Sequence, residues 1–71
     1  MKAWRIESLV RAVLDLLDQS KSGKEVCRLI KQGAVKINGY KMDNPMDLWI
    51  LLDGDVIQVG KKIFYKNEVR G

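Results

Sequence analysis

The stretch SGKEVCRLIKQGAVKING, residues 22–39, constrains this chain more than any other. It reads as a capped basic helix, a glycine stop, a strand and a tight hairpin turn. Ser22 and Glu25 form an S-x-x-E capping box: the serine oxygen takes an orphan amide at the helix start and the glutamate reaches back. Val26, Leu29 and Ile30 recur at helical spacing and define one buried face, while Lys24, Arg28 and Lys31 stand in a row on another. The helix is expected over residues 22–32, with Gly33 supplying the left-handed residue that ends it. Ala34 to Asn38 then alternates as a strand, with Val35 and Ile37 inward and Lys36 outward. Asn38-Gly39 predicts a type I′ turn, which needs positive φ at both central residues. A rod carrying a row of cations and locked to a hairpin suits a phosphate backbone.

The distribution of charge agrees. Residues 21–41 carry Lys21, Lys24, Arg28, Lys31, Lys36 and Lys41 against Glu25 alone. Residues 42–55 carry Asp43, Asp47, Asp53 and Asp55 and no cation, and residues 56–71 return four cations against Glu68. The net charge of +4 is therefore concentrated in two blocks, the footprint of a polyanion binder, although an ordinary solvated surface would also carry it.

With 71 residues the chain is expected to be one domain. A chain of that size buries roughly 60% of its unfolded surface, which leaves a thin core and little room for a deep cofactor cleft. One cysteine, Cys27, excludes an internal disulfide, and with no histidine the usual metal-ligand spacings are missing. Cys27 is read as a small packing residue, not as a reactive thiol. No apolar run matches a membrane span and no segment reads as a signal peptide, so no membrane partner is expected and the cytoplasm is the simplest compartment, or an organelle matrix after removal of a transit segment.

Ahead of the central stretch, residues 1–20 read as an opening helix. Ile6, Leu9, Val10, Val13, Leu14 and Leu17 form its apolar stripe, and residues 18–21 make a polar turn. Trp4 is assigned to a core lid, because stacking residues normally come with an adjacent cationic groove. Gly23 costs up to ~1 kcal/mol of helix propensity and suggests close approach of another backbone. Beyond the hairpin, Asp43-Asn44-Pro45 is a turn. The apolar run 48–52 reads as largely buried, as a short strand or one turn of helix, with Trp49 in the core. After an Asp53-Gly54-Asp55 turn, residues 56–59 form a clear strand, and Gly60-Lys61 is expected as a two-residue type II′ loop before the returning strand 63–66. Phe64 and Tyr65 face opposite sides, one of them in the core. The expected architecture is α+β: two N-terminal helices packed on a small, mainly antiparallel sheet.

Catalytic chemistry is not expected. Without histidine the commonest general base is absent, and Cys27 has no base to pair with. The four aspartates of residues 43–55 match no calcium loop and are read as turn residues. No catalytic residue, metal site or cofactor is assigned.

The segment SGKEVCRLIKQGAVKING, followed by DGDVIQVGKKIFYK, resembles the S4 RNA-binding domain. The pattern of that family is a capped helix S-x-S-E-A-R-R-L-I, then x-x-G-x-V-x-V-N-G and a closing G-D-x-I strand. Ser22, Glu25, Arg28, Leu29, Ile30, Gly33, Val35, Ile37, Asn38, Gly39, Gly54, Asp55 and Val59 match it. The ending Gly60-Lys61-Lys62 with Phe64 is most similar to the C-terminal module of bacterial-type tyrosyl-tRNA synthetases. Gly23, Val26 and Cys27 depart from the pattern and leave the cationic row thinner than is usual, with Lys24 compensating. The resemblance implies an αL motif, two helices on a small sheet, and structured RNA as partner. A synthetase module would grip a tyrosine tRNA near its long variable arm and anticodon stem, with a catalytic domain absent from this chain. A free-standing S4 protein would bind ribosomal RNA. The residues expected to contact RNA are Lys24, Arg28 and Lys31 on the helix, Lys21 and Ser22 at its start, Lys36 on the strand, and Lys61 and Lys62 at the second hairpin tip. The alternative of a different kind is a protein-interaction domain that docks through the broad apolar stripe of the first helix.

Overall fold

The computed structural model describes residues 3–68. Its elements run β1 (Ala3–Arg5), α1 (Ile6–Leu16), α2 (Gly23–Lys31), β2 (Val35–Ile37), β3 (Tyr40–Met42), β4 (Leu48–Ile50), β5 (Val56–Val59) and β6 (Ile63–Lys66). Strands β3-β2-β5-β6 form one antiparallel sheet, and β1 pairs antiparallel with β4 in a separate two-stranded ribbon. The α+β expectation holds.

The opening helix begins later than its apolar periodicity suggested. Residues 3–5 are extended, and Trp4 lies opposite Trp49 in the β1–β4 pair. Arg5 stands at the N-cap with no side-chain cap. Two orphan amides of α1 are met instead by carbonyls from another segment: Ile6 N–H donates to Asp47 O at 2.9 Å and Glu7 N–H to Pro45 O at 3.1 Å. That docking continues into strand pairing, so residues 3–5 are not helical. At the other end the helix closes in a Schellman motif, with Asp18 left-handed at φ 58°. Gln19 N–H donates to Leu14 O and Asp18 N–H to Asp15 O. An aspartate takes the position a glycine usually holds, and Ser20 Oγ donates to Asp15.

The central stretch follows its sequence closely. Ser22 Oγ accepts the Glu25 amide at 3.3 Å. Gly33 has φ 76°, and the amides of Gly33 and Ala34 donate to Ile30 O and Leu29 O, a second Schellman closure. Asn38 (φ 54°) and Gly39 (φ 84°) form the left-handed pair that the I′ turn requires. This fixes the hairpin register, with Ile37 opposite Tyr40 and Lys36 opposite Lys41. Gly23 does not admit a backbone: a methyl there would lie 3.5 Å from Glu7 Oε1 and 3.8 Å from Arg11 Nη1, ordinary contact with side chains.

Gly33 is more constrained. Its φ is one that L-residues adopt at a cost of about 1–2 kcal/mol, and the Lys41 side chain lies across it, with Nζ 2.7 Å from where a methyl would stand. Gly33→Ala is therefore expected to destabilise the fold by about 1–2 kcal/mol, read as a lower urea midpoint.

One core unites the elements. Ile6, Leu9, Val10, Val13 and Leu14 of α1 and Val26 and Ile30 of α2 pack on Val35, Ile37, Ile57 and Val59 from the inner sheet face. Trp4, Leu51, Trp49 and Tyr65 close around it half-buried. The stripe of the first helix is thus covered by its own domain up to Leu14, while Leu16 and Leu17 remain exposed. The segment 48–52 is not largely buried. It alternates: Trp49 and Leu51 turn inward, whereas Leu48, Ile50 and Leu52 are exposed.

The second hairpin also differs from its expectation. Val59 pairs with Ile63, so Gly60, Lys61 and Lys62 make a three-residue loop. Gly60 has φ 68°, and its N–H donates to Ala34 O at 2.8 Å, which ties the loop to the end of α2.

Asp55 is more than a turn residue. It is 8% exposed, and its carboxylate accepts three donors: Asn38 Nδ2 at 2.9 Å, Trp49 Nε1 at 3.1 Å and the Leu52 amide at 2.9 Å. Asn38 Oδ1 in turn accepts the Val56 amide at 2.9 Å. One side chain therefore joins the first hairpin, the two-stranded ribbon and the start of β5. The Leu52 amide first, then the Asn38 amide and the Trp49 indole, hold the Asp55 carboxyl below its ordinary value of 3.8, against the opposing effect of burial. The unfolded state then binds the proton more readily than the folded state. Asp55 contributes stability above pH 3.8 that is lost as pH falls below 3.8 through the folded value. Asp55→Asn is expected to flatten that acid limb in melting scans across pH 2–5, at roughly one proton's worth of slope.

Candidate nucleic-acid interface

The seven cations singled out from sequence fall on three grooves, two lined in part by α2 and a third just past its C-terminal end. Lys24, Arg28 and Lys31 line the first, of about 630 Å³, together with Glu7, Gly23, Cys27 and Gln32. Spacing of i, i+4 and i+7 puts the three cations on one side of the helix, opposite buried Val26 and Ile30. Arg28 and Lys31 lie in the last turn, where the carbonyl end of the helix favours positive charge. Lys24 lies in the first turn, where that field is unfavourable, so the helix itself does not account for it.

A second groove, of about 340 Å³, brings Lys21 together with Lys61 and Lys62 over Leu29, Val59 and Ile63. A third, of about 330 Å³, places Lys36 and Lys61 around Gly33, Ala34, Gln58 and Gly60. Lys61 and Gly60 are shared by the last two grooves, and the bond from Gly60 to Ala34 holds the lysine-bearing loop beside the helix end. Residues distant in sequence are thereby gathered around α2.

Among the described residues the single carboxylate lining these grooves is Glu7, and Arg11 lies 3.9 Å from it. Ser22 lines none of the three, and its oxygen serves the helix cap. Asn38, at the turn, has its side chain committed to Asp55 and Val56. Cys27 is half-buried in the wall of the first groove. Among the described residues no cluster of three His, Cys, Asp or Glu could hold a metal ion, and no helix is long and apolar enough to cross a membrane.

Lys41 belongs beside these residues, although its spacing in the sequence does not single it out. It lies directly opposite Lys36 on the outer face of the sheet, and its stem crosses Gly33 at the C-terminal end of α2. A signal for it exists: a two-residue Asn-Gly turn pairs the second residue before it with the second after it. Like charges directly opposite one another are destabilising in a sheet, so this pair has no structural rationale of its own.

No family model and no solved structure matches the chain. Among curated proteins, it is 42% identical over 59 residues to tyrosine–tRNA ligase 2 of Clostridium acetobutylicum. The aligned region takes in 83% of this chain but 14% of that ligase, so the similarity is to one small part of a much longer protein. What the fold, the grooves and this similarity establish together is a small α+β module related to a segment of a tyrosine–tRNA ligase.

Proposed function

We propose that the chain is a non-catalytic RNA-binding module of the S4 type, which grips structured RNA through the grooves around α2. The observation that carries this reading is the gathering of all seven cations on those grooves, with the lone carboxylate there held by Arg11. Cations gathered along a helix and a loop suit the phosphates of an A-form duplex, whose wide minor groove is recognised by shape and backbone. The similarity to a tyrosine–tRNA ligase segment supports a tRNA as the RNA; the variable arm and anticodon stem as the region held is what the S4 resemblance implies.

Titration into a tyrosine tRNA with a long variable arm, a short-armed tRNA and a ribosomal RNA fragment tests the choice of RNA. Tighter binding to the long arm is the expected result. Equal binding to all three would overturn the tRNA assignment, and preference for the ribosomal fragment would favour a free-standing S4 protein.

A second reading, a protein-contact domain, attaches to another surface. Leu48 and Ile50 are exposed on the outward side of the β1–β4 ribbon, and Leu52 is exposed just beyond it. Concentration-dependent association in sedimentation, abolished by Leu48→Gln with Ile50→Gln, would support it; a monomer at all concentrations would count against self-association there.

A further inference from the structure

The outer face of the four-stranded sheet carries a lateral row of which Lys36 and Gln58 line the third groove, while Lys41 and Phe64 line none of the three. Register places Lys41 beside Lys36, Lys36 beside Gln58, and Gln58 beside Phe64, one residue from each strand. Neighbouring strands are ~4.8 Å apart, so the row spans ~14 Å. Val56 and Lys66 are the remaining strand residues on that face, and none of the six is acidic.

Phe64 is 57% exposed at the end of this row, while its neighbour Tyr65 turns to the core. Gln58 Nε2 donates to Gly60 O at 3.0 Å, which commits that side chain along its own strand toward the loop. The face thus combines three lysines with one open aromatic ring. An aromatic that stacks on bases needs a cationic groove nearby, and this face has one, formed at Lys36 and Lys61 beside Gln58.

We propose that this face is a second RNA contact, in which Phe64 stacks on an unpaired base while Lys36 and Lys41 hold the phosphates of the same strand. This rests on the RNA-binding reading above and adds the class of nucleotide. A duplex offers phosphates but hides its base faces, so only a single-stranded stretch satisfies ring and lysines together. Phosphate between Lys36 and Lys41 also relieves the repulsion that their register imposes.

The test compares three RNAs against the 71-residue chain at one salt concentration. These are an oligoadenylate of about eight nucleotides, an abasic ribose–phosphate strand of equal length, and a blunt RNA duplex. The chain is expected to bind oligoadenylate about tenfold more tightly than the abasic strand, a preference erased in Phe64→Ala and kept in Phe64→Trp. Duplex binding is expected to be unchanged in Phe64→Ala and weakened in Arg28→Glu. Equal binding of oligoadenylate and abasic strand, or a preference that survives Phe64→Ala, would overturn the stacking site while duplex binding upholds the underlying reading. Failure to bind the duplex would overturn that reading instead. Because Phe64 is largely exposed, unchanged circular dichroism is expected for both variants.

Discussion

Asp55→Ala is expected to lower stability by about 3 kcal/mol, or about 15 °C in melting temperature for a chain of this size. The substitution leaves three donors from three parts of the fold without their acceptor: the Asn38 amide, the Trp49 indole N–H and the Leu52 amide. Hydrogen bonds to a charged group contribute about 1.5–3 kcal/mol each, but bonds that share one acceptor do not add fully. Domains of this length have roughly 4–10 kcal/mol in total, so the variant should be marginal at 37 °C. Asp55→Asn keeps one acceptor oxygen and should fall between the two in the same thermal denaturation. A drop below about 0.5 kcal/mol in Asp55→Ala, the range of ordinary surface substitutions, would contradict the role assigned to this carboxylate.

Arg28→Glu is expected to reduce affinity for structured RNA about tenfold at 0.1 M salt, with melting temperature little changed. Arg28 is exposed on α2 and lines the first groove between Lys24 and Lys31, so reversal leaves one phosphate without its cation and repels another. Each phosphate no longer neutralised should also reduce the slope of log affinity against log salt by about 0.7 to 0.9. Its place in the last turn of α2 means that the glutamate also opposes the helix field, a cost of about 0.3–1 kcal/mol that denaturation would register separately. Undiminished RNA binding in a folded Arg28→Glu chain would remove the first groove from the interface.

Much of the fold was legible where the chemistry is local. Ser22, Gly33 and the Asn38-Gly39 pair each dictate a backbone state within three or four residues, and α2, β2 and the first turn followed. Strand β1 was not legible, because its three residues are extended only through pairing with β4, over forty residues away in sequence. Asp18 closes α1 in a conformation that glycine usually signals. The run 48–52 looked buried because an unbroken apolar stretch normally is. Among the described residues none covers the outer side of the two-stranded ribbon, so Leu48 and Ile50, with Leu52 just beyond it, are exposed.

The candidate site shows the same division. Its cations could be chosen from spacing on one helix and position at one loop tip. Their assembly depends on the Gly60–Ala34 bond, which no local pattern announces. Lys41 and Phe64 needed sheet register. The Asn-Gly turn supplies it for the first; the second hairpin supplies it for the other only through the true length of its three-residue loop.

The central claim is that cations around α2 bind RNA phosphates, and a salt titration reads it most directly. Affinity for a long-armed tyrosine tRNA should be measurable at low salt and fall steeply as salt rises, with a smaller slope in Arg28→Glu. Binding that ignores salt, or no binding at low salt, would contradict it.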